Sequence, residues 1–431
     1  GSEAALVLAS RGIEVELHEM RPQVMTPAHT TGLPAELVCS NSLKSQIMPS
    51  APALLKEELA MLGSPLLSVA RAHSVPAGSA LAVDRLAFSR AVEDLLRSNP
   101  RIRVLPGEVT QPPSESAACI IASGPLTSAG LSQWLVERFS SSSLHFYDAI
   151  APIVSAESVD MGIAFAASRW DEGSADYINC PMSEDEYHRF FEELTAADKA
   201  IARSFEDQKF FEACLPLEVI ASRGYQAMSF GPLKPVGLRD PRTGRRPYAV
   251  VQLRKENRAA DALSLVAFQT RLTIPEQRRV FRMIPGLQNA EFLRYGSIHR
   301  NSYLNSPRLL DPLLRFRDQP RLLVAGQLCG NEGYMESIAT GHFAALSVSA
   351  LLSGKQLEPP PLESALGSLL NHISGPSPSD FVPSQFHFGL LPGLVTDKRK
   401  IGKEEKRKLL CERALVKMRG WNDRNNGAFG V

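Results

Sequence analysis

No apolar run in these 431 residues approaches the length of a membrane-spanning helix; the nearest is the mixed stretch Phe343–Leu352. Cysteine is scarce, six in all, and no two stand at metal-ligand spacing, so neither a disulfide framework nor a zinc site is expected. The nine histidines are scattered without an HExxH-like pair, so a metal centre is not expected. An excess of either charge is missing too: 47 Lys and Arg stand against 46 Asp and Glu, and the whole-chain balance implies no partner. There is no basic-then-apolar leader, which leaves a cytoplasmic protein as the default.

What is present suits a globular protein with a real core. The hydrophobic share is 44% and the charged share 22%, and the length suggests two or three domains. The charge is unevenly spread. From Asp397 to Arg419 there are ten Lys or Arg and four Asp or Glu, net +6, against −5 for the rest.

The N-terminal segment reads as α/β. Residues 2–11 form a good helix pattern stopped by Gly12; Ile13, Val15 and Leu17 then alternate with polar residues as a strand would, up to Glu19. Helix, glycine, strand and terminal acid are the second half of a dinucleotide-binding βαβ unit, and equally of any αβ pair with an acid at its strand end. Residues 84–97 predict an amphipathic helix with Leu86, Ala87, Val92 and Leu95 or Leu96 on one face. A short strand is expected at 119–122. From Phe146 to about Leu310 the character becomes aromatic-rich and mixed, suggesting a second domain. Residues 321–325 return to a strand pattern, followed by the glycine-rich Gly326–Gly341 and a helix into Leu352. Strand, glycine loop and helix at both ends of the chain suggest one nucleotide-binding domain split by an insertion.

Cys39, in AELVCSNSLKS, precedes a Ser/Asn cluster suited to capping a helix, where a thiolate would be stabilised. Cys214 lies in FFEACLPLEVIASRG. Cys119 and Cys411 read as small buried hydrophobes, while Cys180 and Cys329 stay undecided. Two basic regions could meet phosphate: Arg239, Arg242, Arg245 and Arg246 in an exposed turn, and the tail from Lys398, Arg399 and Lys400 to Lys408. Tyr248 and Trp421 are aromatics near them that could stack on bases.

With these residues in view, the chain resembles the bacterial folate- and flavin-dependent tRNA (uracil-5-)-methyltransferases over nearly its full length. The likeness rests on HEMRP (His18–Pro22), AELVCSNSLKS, SVPAGSALAVDR (Ser74–Arg85), DYINCPM (Asp176–Met182), EACLPLEVIASRG, the run Phe230–Arg254, GSIHRNSYLNSP (Gly296–Pro307) and GQLCGNEGYMES (Gly326–Ser337). The resemblance implies a Rossmann-type FAD-binding domain in two parts, 1–145 and 319–431, around a mixed α+β insertion at 146–318. It implies methylation of a T-loop uridine of tRNA at C5, with 5,10-methylenetetrahydrofolate as carbon donor, FAD as cofactor and NAD(P)H as reductant. Cys214 falls at the position of the uracil-attacking nucleophile, because C5 becomes reactive only once a thiolate adds to C6. Cys39 falls at a second reactive cysteine. Gly1, Glu19, Arg21, Gly326, Gln327, Gly330, Gly333 and Tyr334 fall on the FAD contacts, and the two basic regions on tRNA. The glycine fingerprint and its strand are missing apart from Gly1, so the chain is expected to be a piece of a longer protein. The competing readings are a sibling flavoprotein that modifies the wobble uridine and a non-catalytic tRNA-binding chain.

Overall fold

The structure is a computed structural model that describes residues 1–139, 144–169, 175–200, 215–376, 381–394 and 401–425. Its first stretch runs through α1 (Ser2–Ser10), β1 (Val15–Glu19), β2 (Ser42–Ser45), α2 (Ala51–Met61), α3 (Pro65–Ala72), β3 (Ser74–Val75) and β4 (Ala80–Val83). Then come α4 (Arg85–Ser98), β5 (Ile102–Pro106), β6 (Cys119–Ile121) and α5 (Ala129–Phe139). The middle holds β7 (Leu144–Ile150), β8 (Ile153–Ser155), β9 (Phe165–Ala167), β10 (Tyr177–Met182), α6 (Glu184–Ala196), α7 (Leu217–Ala221), α8 (Ala227–Phe230), β11 (Ala249–Lys255) and β12 (Ala262–Leu265). It ends with α9 (Ile274–Phe281), β13 (Phe292–Arg294) and β14 (Ser297–Tyr303). The last stretch contains α10 (Ser306–Leu309), β15 (Arg315–Phe316), β16 (Gln319–Val324), α11 (Tyr334–Leu352), α12 (Ala365–Ser374) and α13 (Lys403–Asn425).

Two large hydrophobic cores organise most of these elements, with a small third cluster at Val75, Ala77 and Ala82. The first gathers buried residues from both ends of the chain, from Ala4 to Leu135 and from Leu304 to Trp421. It holds two parallel strand pairs, β1 with β5 and β6 with β16, the second extended by β15. Helix α1 packs on α11, whose apolar sequence is buried on nearly every side. By length and composition α11 is able to cross a membrane, but 83% of its most apolar window lies inside the protein, which makes it the central helix of this core. Helix α4 begins at residue 85 because the Asp84 carboxylate caps it, accepting from Ala87 N–H at 3.0 Å, a contact worth roughly 1 kcal/mol. Its buried face is Phe88, Ser89, Val92 and Leu96. The expected Leu86 and the alternative Leu95 are instead 43% and 41% exposed. The wide Phe88 ring, fully buried against Tyr334, rotates the helix relative to a face chosen on leucines alone.

The second core is built only from the middle of the chain, Ala151 to Ala290. Its antiparallel sheet has the order β13-β8-β12-β11-β10-β9, covered by α6, whose start is fixed by a reciprocal Ser183–Glu186 capping box. The two bodies are joined by the antiparallel pairing of β7 with β14, from Ser297 opposite Ile150 to Tyr303 opposite Leu144.

Candidate functional site

A cleft of about 1390 Å³ lies within the first body, between the ends of β1 and β6 and the loop before α11. Gly1, Glu19, Arg21, Cys39, Lys44, Gly326, Gln327, Gly333 and Tyr334 all line it. Gly330 does not: a Cβ there would meet the Phe381 ring at 2.4 Å, so this glycine makes room for a packed phenylalanine rather than for a ligand.

The strand-end acid is embedded in a network. Arg21 donates to Glu19 from its backbone N–H and Nε, both to Oε1 at 3.0 Å, and from Nη2 to Oε2 at 3.0 Å. That leaves Oε2 a lone pair for a further donor such as a ribose hydroxyl. Arg21 also reaches Glu36 at 3.4 Å. Burial alone would push Glu36 up, but hydrogen bonds from the backbone and hydroxyls of Thr30 and Thr31 outweigh it and hold the carboxyl below its ordinary value.

The opposite wall is the glycine loop. Gly326 (φ 74°) and Gly333 (φ 106°) take left-handed backbone that a side chain would strain. Gly326 N–H donates to Thr340 Oγ1 at 3.0 Å, and Gln327 Nε2 to Glu332 Oε2 at 2.7 Å. No side chain caps α11, and its N-cap Gly333 and first residue Tyr334 stand in the cleft wall. Uncapped N–H groups at a helix start favour an anionic or electron-rich group. Together the volume, the residual Glu19 lone pair and the uncapped α11 fit a dinucleotide such as FAD.

Cys39 is half-buried and lines the cleft, but not at a helix N-terminus as the sequence suggested. The Ser/Asn cluster turns into β2: Ser40, Ser42 and Ser45 hydroxyls accept from the backbone N–H two residues on, which shapes a bend instead of a helix cap. Arg85 donates to the Leu37 and Val38 carbonyls on one flank of the thiol, and Arg254 to Ser40 and Asn41 on the other. Tyr334 OH donates to Ala35 O at 2.8 Å, so the two walls touch near the thiol. The cysteines left undecided are settled by burial: Cys180 and Cys329 are fully enclosed and their thiols pushed up to about 12. Cys119 and Cys411 are pushed up to about 11, also by burial.

Cys214 lies outside the described residues. The chain is described again from Leu215, which is buried, and α7 follows at once. Leu217 N–H donates to Gln269 O at 2.7 Å, and Glu218 accepts from Thr270 Oγ1 at 3.0 Å and Arg271 N–H at 2.8 Å. Burial pushes the Glu218 carboxyl up despite those bonds.

The basic turn is exposed, with Asp240 N–H closing on Arg245 O and Gly244 at φ 67°. Arg242 is committed to Asp240 through Nε and Nη2, and Arg239 donates to Gly244 O. The side chains of Arg245 and Arg246 are exposed. Of the tail, Lys398, Arg399 and Lys400 lie outside the described residues. Trp421 is not available to stack on a base: it is buried on the first core, its Nε1 donating to Glu358 O at 2.9 Å. Tyr248 is half-buried in an aromatic cluster with Tyr187. Among the described residues no cluster of His, Cys, Asp and Glu could hold a metal ion.

A family model described as Glucose inhibited division protein A matches residues 1–356. The methylenetetrahydrofolate–tRNA-(uracil-5-)-methyltransferase TrmFO of Koribacter versatilis (strain Ellin345) is 52% identical over 423 residues, covering 98% of this chain and 95% of that protein. The protein of the same name from Heliobacterium modesticaldum is 51% identical over 415 residues, 96% of this chain and 94% of its own length. The chain belongs to the TrmFO family. Among solved structures, Aquifex aeolicus GidA in its form II crystal superposes with a TM-score of 0.67 at 15% identity, covering 99% of this chain and 73% of that one. That likeness supports the fold, a Rossmann-type α/β body carrying an inserted mixed body.

Some residues that shape this TrmFO-family cleft escape inspection of motifs for reactive side chains. Glu36 lines its wall, and Asn41, Arg85 and Arg254 brace that wall without lining it, through hydrogen bonds and the Arg85–Glu256 ion pair. Their signal was the placement of two arginines at the ends of the matching segments SVPAGSALAVDR and Phe230–Arg254, one opening α4 and the other in β11.

Proposed function

We propose that this protein methylates C5 of a uridine in the T-loop of tRNA, taking the carbon from 5,10-methylenetetrahydrofolate. The observation that carries this reading is identity of about half over nearly the whole chain to relatives named for that reaction, with Cys39 and the glycine loop lining one cleft. Bound FAD would relay the carbon and supply its reducing electrons, with NAD(P)H restoring the reduced flavin. Glu19 would hold the FAD ribose, and Gly326, Gln327, Gly333 and Tyr334 would border its isoalloxazine ring.

The thiols do the rest. The Cys214 thiolate forms an S–C6 bond with uracil, and the displaced π electrons make C5 an enolate carbon able to bond the one-carbon unit. A base then takes the C5 proton, and the electron pair left at C5 expels the carrier from the one-carbon unit, leaving a methylene on C5. Hydride, which the reduced flavin would supply, completes the methyl group as the C5–C6 double bond re-forms and the Cys214 thiolate leaves. Cys39 is the candidate for that base. Arg245 and Arg246 would contact tRNA phosphates, and such a substrate fits a cytoplasmic protein. The names of the relatives favour this reading over wobble-uridine modification.

The test is label transfer from methylenetetrahydrofolate into T-loop uridine with NAD(P)H present; label arriving only at the wobble position, or nowhere, defeats it. Oligonucleotides carrying 5-fluorouracil should form a covalent complex with the wild type and none with Cys214→Ala. A double Arg245→Ala, Arg246→Ala variant should bind tRNA more weakly, with the salt slope shallower by about 1–2; an unchanged slope removes both from the interface.

A further inference from the structure

The bend that carries Cys39 takes its shape from the other body. Arg254, in β11, donates from Nε to Asn41 Oδ1 and from Nη2 to Ser40 Oγ, each at 2.8 Å. Asn41 in turn donates from Nδ2 to Val83 O at 3.0 Å and to Lys255 O, beside Arg254, at 2.9 Å, and its own carbonyl accepts from Val83 N–H at 3.0 Å. On the other flank Arg85 holds the Leu37 and Val38 carbonyls while its Nε pairs with Glu256. Residues 254–256 of the second body thus fix both sides of a thiol that belongs to the first. Asn41 is wholly buried, and Arg254 and Glu256 are 9% and 5% exposed. A guanidinium buried at this depth is costly to desolvate and adds little net stability, which points to a role other than holding the fold together.

We infer that Arg254 is a positioning residue for Cys39, locking the 37–41 bend to the second body so that the thiol meets the cleft at one fixed place. The inference rests on the proposed role of Cys39 in the reaction. Displacing a reacting group by about 1 Å can cost on the order of a hundredfold in rate, so a clamp on both flanks of the thiol bears on turnover more than on binding.

The experiment uses the FAD-loaded protein and two readouts: methyl transfer to tRNA, and hydrogen exchange at the Val83 amide, which donates into the clamp. In Arg254→Met, kcat should fall at least about tenfold with KM for tRNA within about twofold. Exchange at Val83 should quicken while the β10–β11 amides keep their protection. Arg254→Lys should recover part of the rate, because one ammonium can serve only one of the two acceptors well. Wild-type kcat in Arg254→Met, or a loss of rate with Val83 exchange unchanged, overturns the inference. Should Arg254→Met fail to fold, Ser40→Ala removes one acceptor without emptying the arginine site; a smaller loss in the same direction is expected, and unchanged rate and exchange in that variant overturn the inference equally. If the wild type itself transfers no methyl group, the proposed function has failed, and Val83 exchange alone still decides whether Arg254 holds the bend.

Discussion

Two loops face each other across the cleft and each carries a cysteine, yet their thiols live in opposite surroundings. Cys329, in the glycine loop, is fully buried, with Sγ 3.0 Å from Gly326 O and its pKa pushed up to about 12 by that burial. Cys39, in the opposing bend, is half-buried at the cleft with arginines on both flanks. One loop uses sulfur as filling; the other presents it. The contrast shows that reactivity follows from what surrounds a thiol, not from its place in a glycine-rich motif.

The largest effect should come from breaking this contrast at Cys39. Cys39→Ala should lower methyl transfer by roughly 10²–10⁴-fold, the usual worth of a proton-transfer group, while flavin content stays that of the wild type; a rate within tenfold would make the two cysteines equivalent. Next is Lys56, which ties the far end of the Cys39 bend by donating to Ser45 O at 3.0 Å and is drawn toward Glu336 at the end of the glycine loop. Burial lowers its ammonium from 10.5 to about 8. Between those values the unfolded chain binds the extra proton, so this group makes stability rise with pH across that window, by up to about 3 kcal/mol. Comparing denaturant midpoints at pH 7.5 and 10 should show a flatter profile in Lys56→Met; parallel profiles would refute it.

The glycines sharpen the comparison at smaller scale. Gly330→Ala should cost about 1–3 kcal/mol in chemical denaturation, because its Cβ would strike the Phe381 ring at a left-handed φ of 87°. Gly326→Ala would meet only the Ser337 Cβ, at 4.0 Å, and should cost about 1–2 kcal/mol through its backbone alone, while weakening flavin retention during purification. Equal stability losses with equal flavin content would erase the distinction between the two positions. The smallest effect is expected for Cys329→Ala: about 1 kcal/mol of stability with the methylation rate within about twofold.

Much of this architecture was legible in the sequence because periodicity and stop signals are local. The first helix, the strand ending at Glu19 and the strand leading into Gly326 stand within one or two residues of where those signals place them. The orientation of α4 was not, since the ring that sets it, Phe88, gains its burial from Tyr334, about 250 residues away. The bend at Cys39 was misread for a related reason. Serine and asparagine before a helix and serine in successive tight turns have the same composition, and only tertiary partners such as Arg254 decide between them. The direction of Trp421 was not legible either, because a basic helix does not say which way its one large ring points; that ring packs against Phe343 of α11.

The pairing of β7 with β14 brings the two crossings between the bodies side by side, hydrogen-bonded to each other. A module inserted through such a doorway can be exchanged between related genes without rethreading the host, since both cut points lie in one ribbon. Here any such transplant would have to carry Arg254 and Glu256 with it, or arrive in a host whose reactive bend has lost its brace.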